Sequence, residues 1–416
     1  MTAQRTFSAS FVNFLIRILI LSLLLNGCGE TQIAPPTPQP SPKPAPTVTP
    51  VPTPDVTVCA NGCDFILIQD AIDAESTVPE TIIGVEDPVH TEGNILVNKD
   101  VVIQGRGANT TIVQAYTSPG EGTQRVFEIP PEVKTSIRGM TIRYGNPTTT
   151  DPLTGGGVLN YGTLTLEDTI IRENFGSAGG GLYNEGTLTV INSTISDNGS
   201  LGGGDTYLEC TTGGGIKILS GTVTLINSTI SDNKARGKGG GVHVACSGTL
   251  VLENSTISNN FTSESGGGVY LNGVGIFTNS TISNNSAHNV GGINIEGSGE
   301  KDLIRGQLSL TNTIIANNIG RLEKYGVADC YLNQHGTIIK NEYSWIGDGN
   351  CDPAFSGDPM LGPLADNGGS TMTHSLLPDS PAIDIIPAES CTATTDQRGE
   401  PRLAPCDIGA FEFQAP

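Results

Sequence analysis

Three acidic side chains share one position of a repeated sequence unit, and they are the first candidates for chemistry. Glu173, Asp197 and Asp232 each precede the asparagine that ends a unit. Later units carry amides at this position, at Asn259, Asn284 and Asn317. Stacked units would bring the carboxylates within about 5 Å of one another, a spacing that suits a calcium ion. The alternative is a solvated corner where Asp and Asn interchange, so calcium is an optional cofactor and none is required.

A second candidate is a line of outward side chains that follow the glycine runs. The positions are Leu159, Tyr183, Lys217, His243, Tyr270 and Asn294. If the register between units holds, they form one stripe across six units. Aromatic rings beside polar groups suit contact with sugar rings, which makes Tyr183, Lys217, His243, Tyr270 and Asn294 a candidate glycan-binding stripe. The alternative is a set of unrelated surface residues.

Opposite charges also gather near the C-terminus. The run Asp396-Gln-Arg-Gly-Glu-Pro-Arg402 has Asp384 and Asp407 close to it in sequence. Mutual ion pairing within a cap explains these residues without catalysis. No Gly-x-Ser-x-Gly element, Walker loop or HExxH helix is present, and catalytic residues stay unassigned.

The elements that position these candidates follow from an internal repeat between Gly139 and Asn318. The signature Asn-Ser-Thr-Ile-Ser-(Asp/Asn)-Asn begins at Asn192, Asn227, Asn254 and Asn279. Each unit of about 25 residues contains three short β-prone pieces and no helical apolar spacing. The pattern predicts an all-β solenoid, a parallel β-helix with three short strands per coil.

Alternation in the second strand of each unit predicts which side chains fill the core. The inward pairs are Leu164/Leu166, Leu188/Val190, Val223/Leu225, Leu250/Leu252 and Leu308/Leu310, with Gly275 and Phe277 in one unit. The glycine triplets that begin at 155, 179, 213, 239 and 266 fit a corner with positive φ. The asparagines that end the units should stack at another corner, with a left-handed backbone and amides that bond along the stack.

The two ends of the solenoid need caps. At the N-terminal end, Phe65–Ala74 is predicted to form a short amphipathic helix. Strands are predicted at Thr81–Val85, Asn94–Val97 and Val101–Ile103.

Residues 1–27 have the features of a signal peptide: Arg5 and Arg17 precede a short apolar segment. The sequence Leu25-Asn26-Gly27-Cys28 resembles a bacterial lipobox, which implies lipidation of Cys28. Ten of the twenty residues from Pro35 to Pro54 are proline. As polyproline II, this segment would span about 60 Å, so residues 28–57 are predicted to be a stalk. An ordinary signal peptide with a chance cysteine is the alternative.

The eight remaining cysteines are even in number, which agrees with an oxidising compartment. Proximity in sequence favours Cys59–Cys63, Cys330–Cys351 and Cys391–Cys406, and leaves Cys210 for Cys246. Zinc is the alternative, although no CxxC pair is present. The formal net charge of −21 provides no basic surface for phosphates, so we expect no nucleic-acid partner.

Three resemblances extend this interpretation. Residues 58–115 resemble the opening of pectin-lyase-like right-handed β-helix proteins, in which a helix plugs the first coil. The units with Gly-Gly-Gly-(Leu/Val)-Tyr resemble the repeats of polymorphic outer-membrane proteins. The segment Asp358–Asp384, followed by Asp396–Arg402 and Cys406–Glu412, resembles the choice-of-anchor Q domain of bacterial surface proteins, a family without established catalytic residues.

These resemblances imply a right-handed parallel β-helix with an N-terminal helical cap and a disulfide-stapled C-terminal cap. The expected divisions are 1–27 (signal peptide), 28–57 (stalk), 58–135 (cap and first coils), 136–320 (repeats) and 321–416 (C-terminal cap).

The expected role is non-enzymatic: adhesion, glycan binding or envelope structure on an exported protein, lipid-anchored to the bacterial envelope and facing the exterior. Its expected partners are the membrane and an extracellular polysaccharide or a surface protein, and a monomer is compatible with the sequence. The alternative, from fold analogy, is a polysaccharide lyase or a glycoside hydrolase, the latter needing two converging carboxylates.

Overall fold

The computed structural model describes residues 52–148, 154–201, 212–297, 306–320, 328–391 and 393–414. The predicted signal peptide, Cys28 and most of the predicted stalk lie outside these ranges. The predicted Cys210–Cys246 pair also falls outside them, because the description covers neither Cys210 nor the side chain of Cys246. In the described parts of the chain, no helix has the length and apolarity to cross a membrane.

The described chain forms a parallel β-helix in which strands of successive coils pair in four columns. The first and second columns share one sheet, and the third and fourth form sheets of their own. The prediction of three strands per coil is confirmed for the three longer strands. In addition, a fourth column of two-residue strands follows the third, which the sequence did not indicate.

The strands of each column are as follows. The first column contains Ile95–Leu96, Phe127–Ile129, Val158–Asn160, Leu182–Asn184, Val269–Leu271, Ile293–Ile295 and Cys330–Leu332. The second contains Val56–Val58, Ile82–Val85, Val102–Gln104, Lys134–Arg138, Thr163–Glu167, Thr187–Ile191, Val274–Thr278, Gln307–Thr311 and Thr337–Glu342. Two longer strands run through both columns, Ile216–Ile226 and Val242–Glu253.

The third column contains Val89–Thr91, Ile112–Gln114, Thr141–Arg143, Ile170–Arg172, Thr194–Ser196, Thr229–Ser231, Thr256–Ser258, Thr281–Ser283, Ile314–Ala316 and Trp345–Ile346. The fourth contains Phe175–Gly176, Gly199–Ser200, Lys234–Ala235, Phe261–Thr262, Ser286–Ala287 and Ile319–Gly320.

The core follows the predicted alternation. All five predicted second-strand pairs are buried, as is the isoleucine that each unit shares. A Cβ at Gly275 would lie 3.0 Å from Leu308 Cδ1, 3.1 Å from Leu271 Cδ2 and 3.2 Å from Phe277 Cζ, so neighbouring side chains occupy the space that a larger residue would need. The aliphatic columns remove a continuous strip of apolar surface from water, which is the main stabilising contribution in a solenoid.

A short helix, Ile68–Asp73, covers the N-terminal coils, and its Ile68, Ala71 and Ile72 are buried in the core. The helix is shorter than predicted. The carboxylate of Glu92 accepts the amide hydrogens of Ile68 and Gln69 at 2.7 and 2.9 Å, and so satisfies two free donors of the first turn.

The predicted stalk, residues 28–57, extends too far toward the C-terminus. Val56–Val58 is a strand that pairs with Ile82–Val85, and the Cys59–Cys63 disulfide follows directly. Pro54 also packs closely against Gly84. The β-helix unit therefore begins within the last proline residues.

The C-terminal region has two parts, one packed near the last coil and one along the third column. Near the last coil, the Cys330–Cys351 disulfide ties the segment around Asn350–Asp352 to the final first-column strand, and Phe355 stacks on Trp345 with the ring centroids 5.7 Å apart. The rest of the described chain, residues 357–391 and 393–414, folds back along the outer face of the third column, where it contacts Thr229, Thr256 and Thr281. We call this segment, with the strands Leu361–Ala365 and Thr373–Leu376 and a 3-10 turn at Ala388–Ser390, the C-terminal strap. The Cys391–Cys406 disulfide lies within it.

Candidate functional site

The predicted stripe exists as a register of paired positions. Along the first column, successive strands place six residues directly beside one another: Leu159, Tyr183, Lys217, His243, Tyr270 and Asn294. The next strand adds Tyr331 beside Asn294. Tyr331 was not predicted to belong to the stripe, because it follows Asn294 by 37 residues and so falls outside the repeat of about 25. The sequence feature that Tyr331 shares with most of the other stripe positions is an apolar residue on each side, here Cys330 and Leu332.

The exposure expected of this stripe is wrong. Tyr183 is 9% exposed, Lys217 0%, His243 1%, Tyr270 1% and Asn294 5%. The side chains do point away from the aliphatic core, and Tyr183 packs instead in a small cluster with Leu159 and Ala178. The stripe is thus an enclosed layer outside the core, and a cleft opens over its C-terminal coils.

The glycine runs explain the enclosure. The first glycine of each triplet has positive φ, for example 73° at Gly239 and 71° at Gly266, as predicted. This turn folds the chain back over the outward side chain of its own coil. A Cβ at Gly239 would lie 2.8 Å from His243 Cβ, and one at Gly266 would lie 2.8 Å from the Tyr270 backbone. Glycine is needed both for the turn and for this close approach.

Lys238 joins the side chains around Tyr270. Its Nζ donates to Tyr270 Oη at 2.7 Å, lies 4.6 Å from the centre of that ring, and is 3.8 Å from Glu296 Oε2. On the other side, His243 meets the Tyr270 ring edge-on, with the centroids 5.1 Å apart. Tyr270 is therefore fixed by a cation, a histidine ring and its own hydroxyl contact.

The surroundings of His243 favour its uncharged form. Burial lowers the pKa of its imidazole well below the usual value, and the nearby charges of Lys217 and Lys238 lower it further. Its Nδ1 lies 3.1 Å from Thr212 Oγ1. The ring serves as a packed partner for Tyr270.

A cleft of about 320 Å³ opens over this cluster. We call it the Tyr270 cleft; its lining includes Lys238, Glu264, Tyr270, Asn294, Glu296 and Tyr331. Tyr270 forms the enclosed floor, while Tyr331 is half-buried and lines the cleft. The volume is at the small end for ligand pockets, and aromatic rings beside a few polar groups are typical of such sites.

The three predicted calcium ligands lie at successive corners after the third column. Glu173, Asp197 and Asp232 have φ of 56°, 55° and 58°, and the equivalent asparagines share this left-handed conformation. Asp and Asn tolerate it better than most residues, which explains why they interchange. Burial and the charge of Asp197 raise the pKa of Asp232. Within the described ranges no group of three or more His, Cys, Asp or Glu is arranged to hold a metal ion, so these three do not converge as one.

The asparagine that follows each corner forms a ladder inside the coils. Each Nδ2 donates to the Oδ1 of the next rung at 2.9–3.1 Å, and the rungs are Asn174, Asn198, Asn233, Asn260, Asn285, Asn318 and finally Asp329. The predicted bonding along the stack is confirmed. The prediction that these asparagines adopt a left-handed backbone is wrong. The residue before each of them has the positive φ instead.

The charged residues of the strap are paired and structural. Arg402 lies 3.1 Å from Glu412, and Arg398 lies 2.7 Å from Asp396. Asp407 accepts the amide hydrogen of Asp384 at 2.8 Å. Burial raises the pKa of Asp407 and of Glu412. These contacts hold the strap to itself.

Comparison with known families agrees with the architecture. The family described as "Right handed beta helix region" matches residues 137–300 and 214–350, about half of the chain. The chain belongs to the right-handed β-helix family. In sequence, no curated protein matches it.

Three solved structures are similar to this chain over most of their own length. The pectate lyase Pel9A is 14% identical, with a TM-score of 0.45 over 82% of this chain and 89% of that chain. A pectin methylesterase from carrot is 12% identical, with a TM-score of 0.42 over 70% and 90%. The A-module of the mannuronan C-5 epimerase AlgE6 from Azotobacter vinelandii is 14% identical, with a TM-score of 0.37 over 70% and 92%. These identities and TM-scores carry no conclusion about this chain.

Proposed function

We propose that this β-helix protein binds an extracellular glycan in the Tyr270 cleft without cleaving it. The observation that carries the proposal is the cleft itself. It places the half-buried Tyr331 two coils from Tyr270, with Asn294 between them. Rings provide stacking surfaces for sugars, and amides supply both donors and acceptors for hydroxyl groups.

The ionisable groups support binding rather than chemistry at this position. Lys238 contacts Tyr270 and Glu296, and His243 is 1% exposed and does not line the cleft. The carboxyls with raised pKa values, such as Asp329 and Asp407, receive backbone amide hydrogens in structural contacts elsewhere. A general acid or base needs reach to the reacting bond as well as a suitable pKa.

The setting that we propose is the outer surface of a bacterial cell. The lipobox-like sequence at Cys28, the proline-rich segment and the resemblance of Asp358–Glu412 to the choice-of-anchor Q domain support an exported, lipid-anchored protein. The cysteine pairs also agree with an oxidising compartment. In this setting a glycan-binding β-helix on a stalk would act in adhesion or in envelope structure.

The test uses the purified protein with a panel of neutral and acidic polysaccharides, with and without calcium. Retained glycan and released fragments are both measured by chromatography. We expect retention without fragments, and a loss of at least tenfold in affinity for Tyr331→Ala. Tyr144→Ala is the matched control, since Tyr144 lies outside the cleft beside Arg143. Released fragments would support the polysaccharide lyase or hydrolase instead, and no retention would contradict the proposal.

A further inference from the structure

The Tyr270 cleft is lined by more acidic than basic side chains. Glu264 and Glu296 line it together with a single cation, Lys238. That cation lies 3.8 Å from Glu296 and donates to Tyr270. Glu264 is exposed at the rim, so it adds negative charge where a ligand would enter. Lys217 is enclosed two coils from Tyr270 and does not line the cleft.

The remaining polar groups of the cleft are uncharged. Asn289 and Asn294 contribute amides, and Ser265 contributes a hydroxyl. Such groups complement hydroxyl and acetamido substituents, which need both donors and acceptors. A sugar carboxylate, in contrast, would be repelled by Glu264 and Glu296. It would also have to compete with Glu296 for the ammonium group of Lys238. The net charge of −21 repels polyanions over longer distances as well.

We propose that the Tyr270 cleft selects uncharged or amino-bearing sugars and disfavours uronic acids. This inference rests on the proposed glycan binding and narrows its ligand class. The selectivity comes from the carboxylates of Glu264 and Glu296, one of which already engages the only lining cation among the described residues.

The experiment measures the affinity of the purified protein for three probes of equal length: hexamers of glucose, glucosamine and galacturonic acid. At low ionic strength, we expect the galacturonic acid hexamer to bind about tenfold more weakly than the glucose hexamer. The difference should shrink at 0.5 M NaCl, because salt screens charges at the rim of a cleft (Debye length about 4 Å).

The variant Glu264→Gln tests directly whether the carboxylate of Glu264 causes the selectivity. We expect it to strengthen binding of the galacturonic acid hexamer about threefold, to weaken binding of the glucosamine hexamer, and to leave the glucose hexamer unchanged. Glu253→Gln, an exposed glutamate that does not line the cleft, is the matched control and should change none of the three.

The outcomes separate the two proposals. If the galacturonic acid hexamer binds as tightly as the glucose hexamer, or more tightly, the inferred selectivity is wrong while glycan binding stands. If Glu264→Gln and Glu253→Gln behave alike, the assignment of selectivity to Glu264 is wrong. If none of the three hexamers binds, the proposed function itself fails.

Discussion

The outer faces of the first and third columns present side chains in the same strict register, yet different segments cover them. On the third column, the strap binds directly to the coils: Gln397 accepts from Thr256 Oγ1 at 2.6 Å and donates to Thr229 Oγ1 at 2.9 Å. His374 lies 2.9 Å from Ser258 Oγ, and the Ala410 amide donates to Thr281. These outward threonines and serines are fully buried.

On the first column, the glycine turns of the coils themselves cover the outward residues, and the cover is incomplete. It leaves the Tyr270 cleft, lined by charged and aromatic groups. The comparison shows that a repeat position determines the direction of a side chain, while segments outside the strand determine its exposure. We therefore expect changes on the third-column face to alter stability, and changes in the cleft to alter binding.

The largest effect on stability is expected from the buried ion pair of the strap. Arg402→Met removes the partner of Glu412, and both side chains are almost fully buried. We expect the free energy of unfolding to fall by about 3–5 kcal/mol, because an unpaired buried charge remains. Lys340→Met breaks an exposed pair with Glu342 and should change it by less than about 1 kcal/mol. Urea unfolding of both variants checks this, and similar losses would refute the structural role of the strap.

Loss of one rung of the asparagine ladder should lower the stability of the protein nearly as much. Asn260→Ala deletes a rung that bonds to Asn233, Asn285 and two main-chain carbonyls. The buried groups left behind should lower the free energy of unfolding by about 3–4 kcal/mol. Asn259→Gly is the control one residue away, since it is exposed and has a φ of 58° that glycine adopts freely. A loss below 1 kcal/mol for Asn260→Ala would show that the ladder is dispensable.

The last rung makes stability depend on pH. Burial raises the pKa of Asp329 from 3.8 to about 6, although its Oδ1 accepts from Asn318. Because the folded pKa exceeds the unfolded one, the carboxyl stabilises the fold below pH 4, and this contribution is lost as the pH rises through 6. It amounts to roughly 3 kcal/mol.

Urea unfolding of the protein and of Asp329→Asn between pH 4 and pH 8 isolates this group from the other carboxyls. We expect the difference in unfolding free energy between the two proteins to change by roughly 3 kcal/mol in favour of the variant as the pH rises. Parallel pH profiles would mean that Asp329 titrates normally in the folded state.

The smallest effect is expected at the floor of the cleft. Tyr270→Phe keeps the packing against His243 but removes the hydroxyl that accepts from Lys238. We expect a loss of about 1 kcal/mol in stability, measured by thermal unfolding. A loss above 3 kcal/mol would place this cluster with the structural contacts of the third-column face.

The sequence predicted the coil well because its repeat encodes burial residue by residue. The shared isoleucines, the alternating Leu/Val pairs and the positive φ of the glycine triplets all follow from local patterns. The strap was predicted as an end cap, yet it lies along the third column. Its contacts join Gln397 to Thr229 and Thr256 across more than a hundred residues, and no periodic signal records such a pairing.

The candidate site was only partly predictable for the same reason. The column of Tyr183, His243 and Tyr270 was visible as a repeat position, but Lys238 lies in a glycine turn and Tyr331 follows an irregular insertion. The exposure of the column depends on how closely that turn folds back, which is a property of backbone geometry. Similarly, Glu173, Asp197 and Asp232 stand at positions with a left-handed φ, which favours Asp and Asn. In the sequence alone, such a row of carboxylates resembles a set of metal ligands.

The comparison of the two faces is tested most directly by one paired measurement. Retention of the glucose hexamer and the thermal midpoint are measured for Tyr331→Ala in the cleft and for Gln397→Leu under the strap. We expect Tyr331→Ala to lose binding with its midpoint shifted by less than about 2 °C, and Gln397→Leu to lose about 4 °C with binding intact. If Gln397→Leu abolished binding at a temperature where it remains folded, or if Tyr331→Ala bound normally, the division between a structural face and a binding face would be wrong.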